Sequence, residues 1–142
     1  LVVEIATRPF LGGVQVESRW RRHAAAARQP VLLLRGRSAT GGPVVCLHDG
    51  GPAGERALAL AARLSADAGG ALEVVLGPDA APAIEAEMFE AHGGARVRRL
   101  AADGDQDWSR AIAAAAPALL VVPAGAPPAR WSGSSADLLL VP

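Results

Sequence analysis

The chain has no lysine: all fourteen of its basic residues are arginine. A P-loop places a lysine on the nucleotide phosphates, so that motif is excluded. A phospho-acceptor receiver domain also uses a late lysine and is disfavoured on the same ground. Lysine Schiff-base chemistry is excluded outright. Tyrosine is absent too, and the aromatics are only Phe10, Phe89, Trp20, Trp108 and Trp131. Formal charge is zero. A neutral chain with so few rings offers neither a phosphate-seeking surface nor a stacking platform, so nucleic acid is not an expected partner. A single cysteine, Cys46, rules out an intrachain disulfide and suits a reducing compartment; a cytoplasmic location is expected. Cys46 lies inside an apolar run, where a thiol acts as a small hydrophobe. No apolar run reaches the roughly eighteen residues of a membrane helix. The longest, Ala111 to Pro123, is broken by Pro117. The basic n-region and cleavage site of a signal peptide are also missing. The chain opens inside a strand-like run, Leu1-Val2-Val3, without an initiator Met, and a domain taken from a longer protein is expected.

Half of the residues are apolar, enough for one well-packed core in 142 residues. Short apolar runs alternate with helical patterns. The predicted strands are Leu1–Ala6, Val31–Arg35, Val44–His48, Leu72–Leu76, Arg96–Leu100, Leu119–Val122 and Leu138–Val141. Most are continuous Val/Leu runs, the pattern of parallel strands covered on both faces. Helices are predicted near Val16–Arg28, Ala53–Ala68 and Pro82–His92, and a fourth from Asp105 to Pro117. Gln29-Pro30, Gly69-Gly70, Gly93-Gly94 and Pro117 supply their stops. Asp105 is the expected N-cap of the last. This alternation predicts an α/β fold: a doubly wound, mostly parallel sheet with flavodoxin-like layering.

Arg37 to Gly42 is a small, polar, Gly-rich connector. It separates a strand-helix-strand unit, residues 1–36, from a full domain, residues 43–142. The two pieces echo each other. Leu1–Ala6 is similar to Leu119–Ala124, and Pro30–Arg35 is similar to Asp137–Pro142. The N-terminal piece therefore reads as the last third of a second copy. An all-apolar last strand left unpaired would be an exposed edge. One seven-stranded sheet is predicted, with Leu1–Ala6 outermost on the added side.

The most informative stretch is Pro43 to Leu64, PVVCLHDGGPAGERALALAARL: a buried strand, an Asp-Gly-Gly turn and an Ala-rich helix. In an open α/β sheet, Asp49, Gly50 and Gly51 fall at the carboxyl edge, where such folds bind ligands. This stretch resembles the first strand, Asp-Gly-Ser turn and helix of the universal stress protein family. Gly104–Ile112 is similar to the family's Gly-Asp-Pro segment, and Pro117–Val122 to the strand that follows it. The likeness covers residues 43–142 as a domain and residues 1–36 as the tail of a preceding copy. Such proteins often occur as tandem repeats and pair their last strands antiparallel, which implies here that Val31–Arg35 lies antiparallel to Leu138–Val141.

The resemblance implies an adenine nucleotide, ATP or AMP, as ligand. Family members that bind ATP carry Gly-x-x-Gly, about nine residues, then Gly-Ser after the fourth strand, and these amides and hydroxyls hold phosphate and ribose. The residues implied here are Asp49, Gly50, Gly51, Gly133 and Ser134. Gly133-Ser134 fits the end of the motif, but Pro123 stands at its first Gly, and Ala126 or Pro127 at its second. Proline has no amide to donate. Only Ser135, Ala136 and Asp137 separate Ser134 from the last strand, so the usual helix is nearly deleted. The expectation is a non-catalytic stress-response or assembly module with weak or lost nucleotide binding and no required cofactor. Its partner would be a protein or a second copy joined through the last strands. A functioning ATP- or AMP-binding domain is the alternative.

Other polar groups have structural readings. Asp49 serves equally well as a helix cap. His48 and Asp49 are neighbours on a strand and should point to opposite faces. Arg19, Arg21, Arg22 and His23 read as a solvated face, as do Glu85, Glu87 and Glu90. Asp103, Asp105 and Asp107 alternate like a calcium loop without its closing Glu, and capping of the Trp108 helix explains them. Trp20 and Trp108 head apolar stripes and are expected core anchors. No nucleophile-base pair is legible, and no catalytic residue is assigned.

Overall fold

The computed structural model describes residues 2–5, 22, 24, 26, 28–35, 41–91, 94–131 and 133–142. Among them, seven strands form one sheet: β1 (Val2–Ile5), β2 (Val31–Leu34), β3 (Val44–His48), β4 (Leu72–Leu76), β5 (Arg96–Arg99), β6 (Leu119–Pro123) and β7 (Asp137–Val141). The spatial order is β1-β2-β7-β6-β3-β4-β5. All neighbours are parallel except β2 and β7, which pair antiparallel with Val31 opposite Leu140 and Leu33 opposite Leu138. The seven-stranded sheet and its single antiparallel seam are as predicted. β7 is flanked on both sides, by β6 and by β2. Within one chain these two last strands therefore pair with each other.

β3 and β4 are buried at every position, which is why their sequences are continuous apolar runs. The sheet separates two cores. Val44 and Cys46 join a cluster with Ala57, Ala61 and Leu139; Val45 and Leu47 join another with Trp108, Ile112 and Trp131. Alternation along the strand produces this division. α1 (Pro52–Ala68) and α2 (Pro82–Ala91) cover the first face; α3 (Asp105–Ala115) covers the second. Residues 22, 24 and 26 are helical, and Ala24 packs with the second core. Trp20 lies outside the described residues. Burial pushes the Cys46 thiol up, so it stays protonated and apolar.

α1 begins with proline at its first turn, where no amide is missed, and ends at Gly69 in the left-handed conformation (φ 62°). The Gly69 and Gly70 amides donate to the carbonyls of Ala66 and Ser65, which closes the helix. α3 corrects the expected cap. Gly104, not Asp105, is its N-cap, and no side chain caps it. Asp105 and Asp107 lie in the first turn, where their charge favours the helix dipole.

β5 carries Arg96, Arg98 and Arg99 and forms one edge of the sheet. Charged side chains on an edge strand discourage further pairing. Arg98 pairs with the buried Glu73 on β4 at 3.3 Å, so the inner carboxylate has a counter-charge. Among the described residues between β6 and β7, a 3₁₀ turn, Pro128–Arg130, stands where a crossover helix is expected. Trp131, 1 % exposed, fills that helix's place against the second core.

Candidate functional site

Strand order reverses at β3: the chain runs outward through β4 and β5, then returns to β6 on the other side. The crevice between the carboxyl ends of β3 and β6 is therefore the fold's ligand position. Asp49, Gly50 and Gly51 follow β3 there, as expected. Gly50 has φ +92°, a conformation that favours glycine, and its Cα region stands close to Ala80, 3.3 Å from a notional Cβ. Its amide donates to His48 Nδ1 at 3.0 Å. The Gly51 amide donates to Asp49 Oδ1 at 3.1 Å. Asp49 thus braces its own turn. It does not cap α1, whose N-cap is Gly51 without a side-chain bond.

His48 and Asp49 correct another expectation, that they diverge. Both converge on Gly54. A Cβ at Gly54 would lie 2.9 Å from Asp49 Oδ1 and 3.0 Å from His48 Nδ1. Alternation of faces stops at the strand end, and the positive-φ turn at Gly50 brings the start of α1, with Gly54, against both side chains. Sequence reading missed Gly54. Its only signal was a glycine inside a helix, a position that costs about 1 kcal/mol relative to alanine unless packing requires it. Gly54→Ala is expected to destabilise by about 1–3 kcal/mol through overpacking, outweighing the helix gain. Chemical denaturation measures it; a stabilised variant would show that the two side chains move aside freely.

Gly133 and Ser134 are elsewhere. β7 starts at Asp137, in register with Leu119 at the amino end of β6. The residues just before Asp137 therefore lie at the amino edge, about 15 Å along the strands from the crevice. There the Arg35 guanidinium donates to the Ser134 carbonyl, and the Arg35 amide to Asp137 Oδ1. Gly133 and Ser134 line a cavity of about 520 Å³ with Ser109, Ile112 and Ala116 of α3 and its C-cap. The five residues implied by the family likeness thus form two separate groups. The physical reason is the lost crossover helix: the chain has already descended past the sheet when it reaches Gly133.

Five amides of the loop that would hold phosphates are already bonded. Ala124 donates its amide to the Val141 carbonyl at 2.7 Å, and Ala126 to Pro123 at 2.9 Å. Arg130, Trp131 and Ser134 donate to Pro127, Pro128 and Trp131. Pro127 and Pro128 have no amide. A cavity of about 730 Å³ does open at the carboxyl edge of β6 and β7, lined by Ala124, Gly125, Val141 and Arg56 among others.

A latch holds this loop to α3. Arg130 Nη2 donates to Asp103 Oδ2 at 2.7 Å, its Nε lies 3.3 Å from Asp105 Oδ1, and its guanidinium sits 5.0 Å from the Trp108 ring centroid. Trp108 Nε1 donates to Asp103 Oδ1 at 2.8 Å. That bond first, and Arg130 beside it, hold the Asp103 carboxyl below the usual range. Asp103 and Asp105 thus form a clasp for Trp108 and Arg130, while Asp107 pairs with Arg110 at 3.4 Å. Among the described residues no group of three or more His, Cys, Asp or Glu side chains could hold a metal ion.

No known family model matches the sequence, and no curated protein does either. Solved structures do. A universal stress protein from Archaeoglobus fulgidus DSM 4304 is similar over 80 % of this chain at 14 % identity and a TM-score of 0.64. A functionally unknown protein from Pseudomonas aeruginosa PAO1 is similar over 98 % of this chain at 15 % identity and a TM-score of 0.63. This chain spans 50 % of the first structure's length and 61 % of the second's. With its central strand order, its crevice at β3 and its antiparallel seam, the chain has the fold of the universal stress proteins.

Proposed function

We propose that this chain is a non-catalytic regulatory or assembly module of a stress-response protein, with nucleotide binding weak or lost. One observation supports the reading: in the loop after β6 the Ala124, Ala126, Arg130, Trp131 and Ser134 amides are bonded within the loop or to β7. Free amides aimed at a ligand are what make such turns anion sites. The separation of Gly133-Ser134 from Asp49 adds to it. Residues 1–36 are read as the end of a second copy, supported by the matching strand pairs β1–β2 and β6–β7 on either side of the seam. The partner is read as a protein. No helix among the described residues is long and apolar enough to cross a membrane.

Calorimetric titration with ATP, AMP and cyclic AMP tests the reading. Millimolar or undetectable affinity is expected for all three. Sub-micromolar ATP binding that disappears in Asp49→Ala would establish the alternative, a working ATP- or AMP-binding domain around the Asp49-Gly50-Gly51 turn.

A further inference from the structure

The face covered by α1 and α2 holds a polar group that the fold leaves unserved. His48 is 0 % exposed. Its Nδ1 accepts the Gly50 amide, which places the ring proton on Nε2. Burial holds the ring's pKa below its ordinary value, so the ring stays neutral and Nε2–H is a donor. Nε2 is buried and has no hydrogen-bond partner. Buried donors are nearly always paired, so an unpaired one calls for an explanation.

His48 lines a cleft of about 300 Å³ between the two helices. Leu58 of α1 and Ile84 of α2 give it apolar walls. Glu55 and Glu87, one from each helix, are exposed and line the same cleft. Neither has an ion-pair partner among the described residues. Arg99, the nearby cation, is held by Glu85 and by the carbonyls of Gly77, Pro78 and Ala80. The cleft therefore offers a buried neutral donor, two aliphatic walls and two uncompensated carboxylates.

We propose that this cleft binds a small aliphatic amine that carries a neutral hydrogen-bond acceptor, the pattern of an amino-acid amide or an amino alcohol. The ammonium faces Glu55 and Glu87. The acceptor takes the His48 Nε2 proton, and the alkyl chain lies on Leu58 and Ile84. Anions are excluded: a free amino acid would set its carboxylate against two others, and a phosphate would fare worse. A metal ion is not favoured, since Nε2 already carries the proton. This cleft adjoins the Asp49–Gly51 turn through His48, whose other nitrogen accepts the Gly50 amide, but it opens between α1 and α2 and does not depend on the nucleotide reading.

The test uses the full chain and leucinamide as probe, with calorimetry and ¹H–¹⁵N NMR of the His48 ring. Saturable binding is expected, with the His48 Nε2 resonance moving along the titration. Leucine, 4-methylpentanamide without the amine, and 3-methylbutylamine without the acceptor should each bind at least ten-fold more weakly. Glu55→Gln combined with Glu87→Gln should weaken leucinamide at least ten-fold while leaving the melting temperature unchanged. These glutamates are exposed, so the variant keeps its fold. If leucinamide leaves the His48 resonance still, or binds the double variant as well as the parent, the proposal is wrong. Equal binding of leucine and leucinamide would also overturn it.

Discussion

Trp108→Ala is expected to lower stability by about 3–5 kcal/mol, the range for removing a buried aromatic together with the cavity it leaves. Trp108 is 1 % exposed and packs with Val45, Leu47 and Ile112 in the second core. Its ring also approaches Gly77, 3.4 Å from where a Cβ would stand, so it supports the turn after β4. Two further contacts go with it. Asp103 loses the indole donor, and Arg130 loses the ring beneath its guanidinium. Arg130 is mostly buried, and a desolvated cation over an aromatic face contributes about 2 kcal/mol. The ion pairs of Arg130 are to half-exposed acids and contribute no more than about 1 kcal/mol each. Ring burial therefore dominates. Trp108→Phe, which keeps most of the area but not the N–H, should lose far less. Denaturant midpoints decide: a loss below about 1 kcal/mol for the alanine variant would mean that Trp108 is no anchor.

A chain beginning at Gly42 is expected to aggregate or to dimerise. It would lack β2, and with it the partner of Leu138, Leu139 and Leu140. Val31 and Leu33 are 0 % and 4 % exposed. Burying such side chains stabilises by about 1.5–3 kcal/mol each, so their loss alone removes about 3–6 kcal/mol. The bare edge of β7 would be apolar from Leu138 to Val141, with a single charge, Asp137, at its start in place of the three arginines of β5. Light scattering and denaturation of the two chains make the comparison. A shortened chain that remains monomeric, soluble and equally stable would show that β1 and β2 are an appendage.

The strands were legible because burial on both faces writes itself as continuous Val and Leu. Val44–His48 and Leu72–Leu76 were placed to the residue, and the other strands within one or two. Trp108 was legible from its stripe along α3. That β2 covers β7 was legible from a negative argument, that an all-apolar last strand needs cover; the antiparallel direction of the seam followed from the family resemblance. The candidate site was legible in half. The turn after β3 follows from local sequence, but the position of Gly133-Ser134 depends on how far the crossover descends, which no motif spacing records. Gly54 is set by two side chains that reach it only in space. The Arg130 latch joins residues 27 apart in the chain. Such contacts leave no periodicity to read.

The reversal of direction at the β2–β7 seam has a consequence for how the chain could be joined or cut. Val2 and Leu140 are both in register with Val31, one on each side of it. The first and last strands therefore have their outer ends on one rim, separated by two strand spacings, roughly 10 Å. A linker of a few residues could close the backbone into a ring. The ring could then be opened at an exposed turn such as Gly69-Gly70 without disturbing a single ladder. By the same geometry, a host protein could take up this fold as an insert, entering and leaving through a single narrow neck.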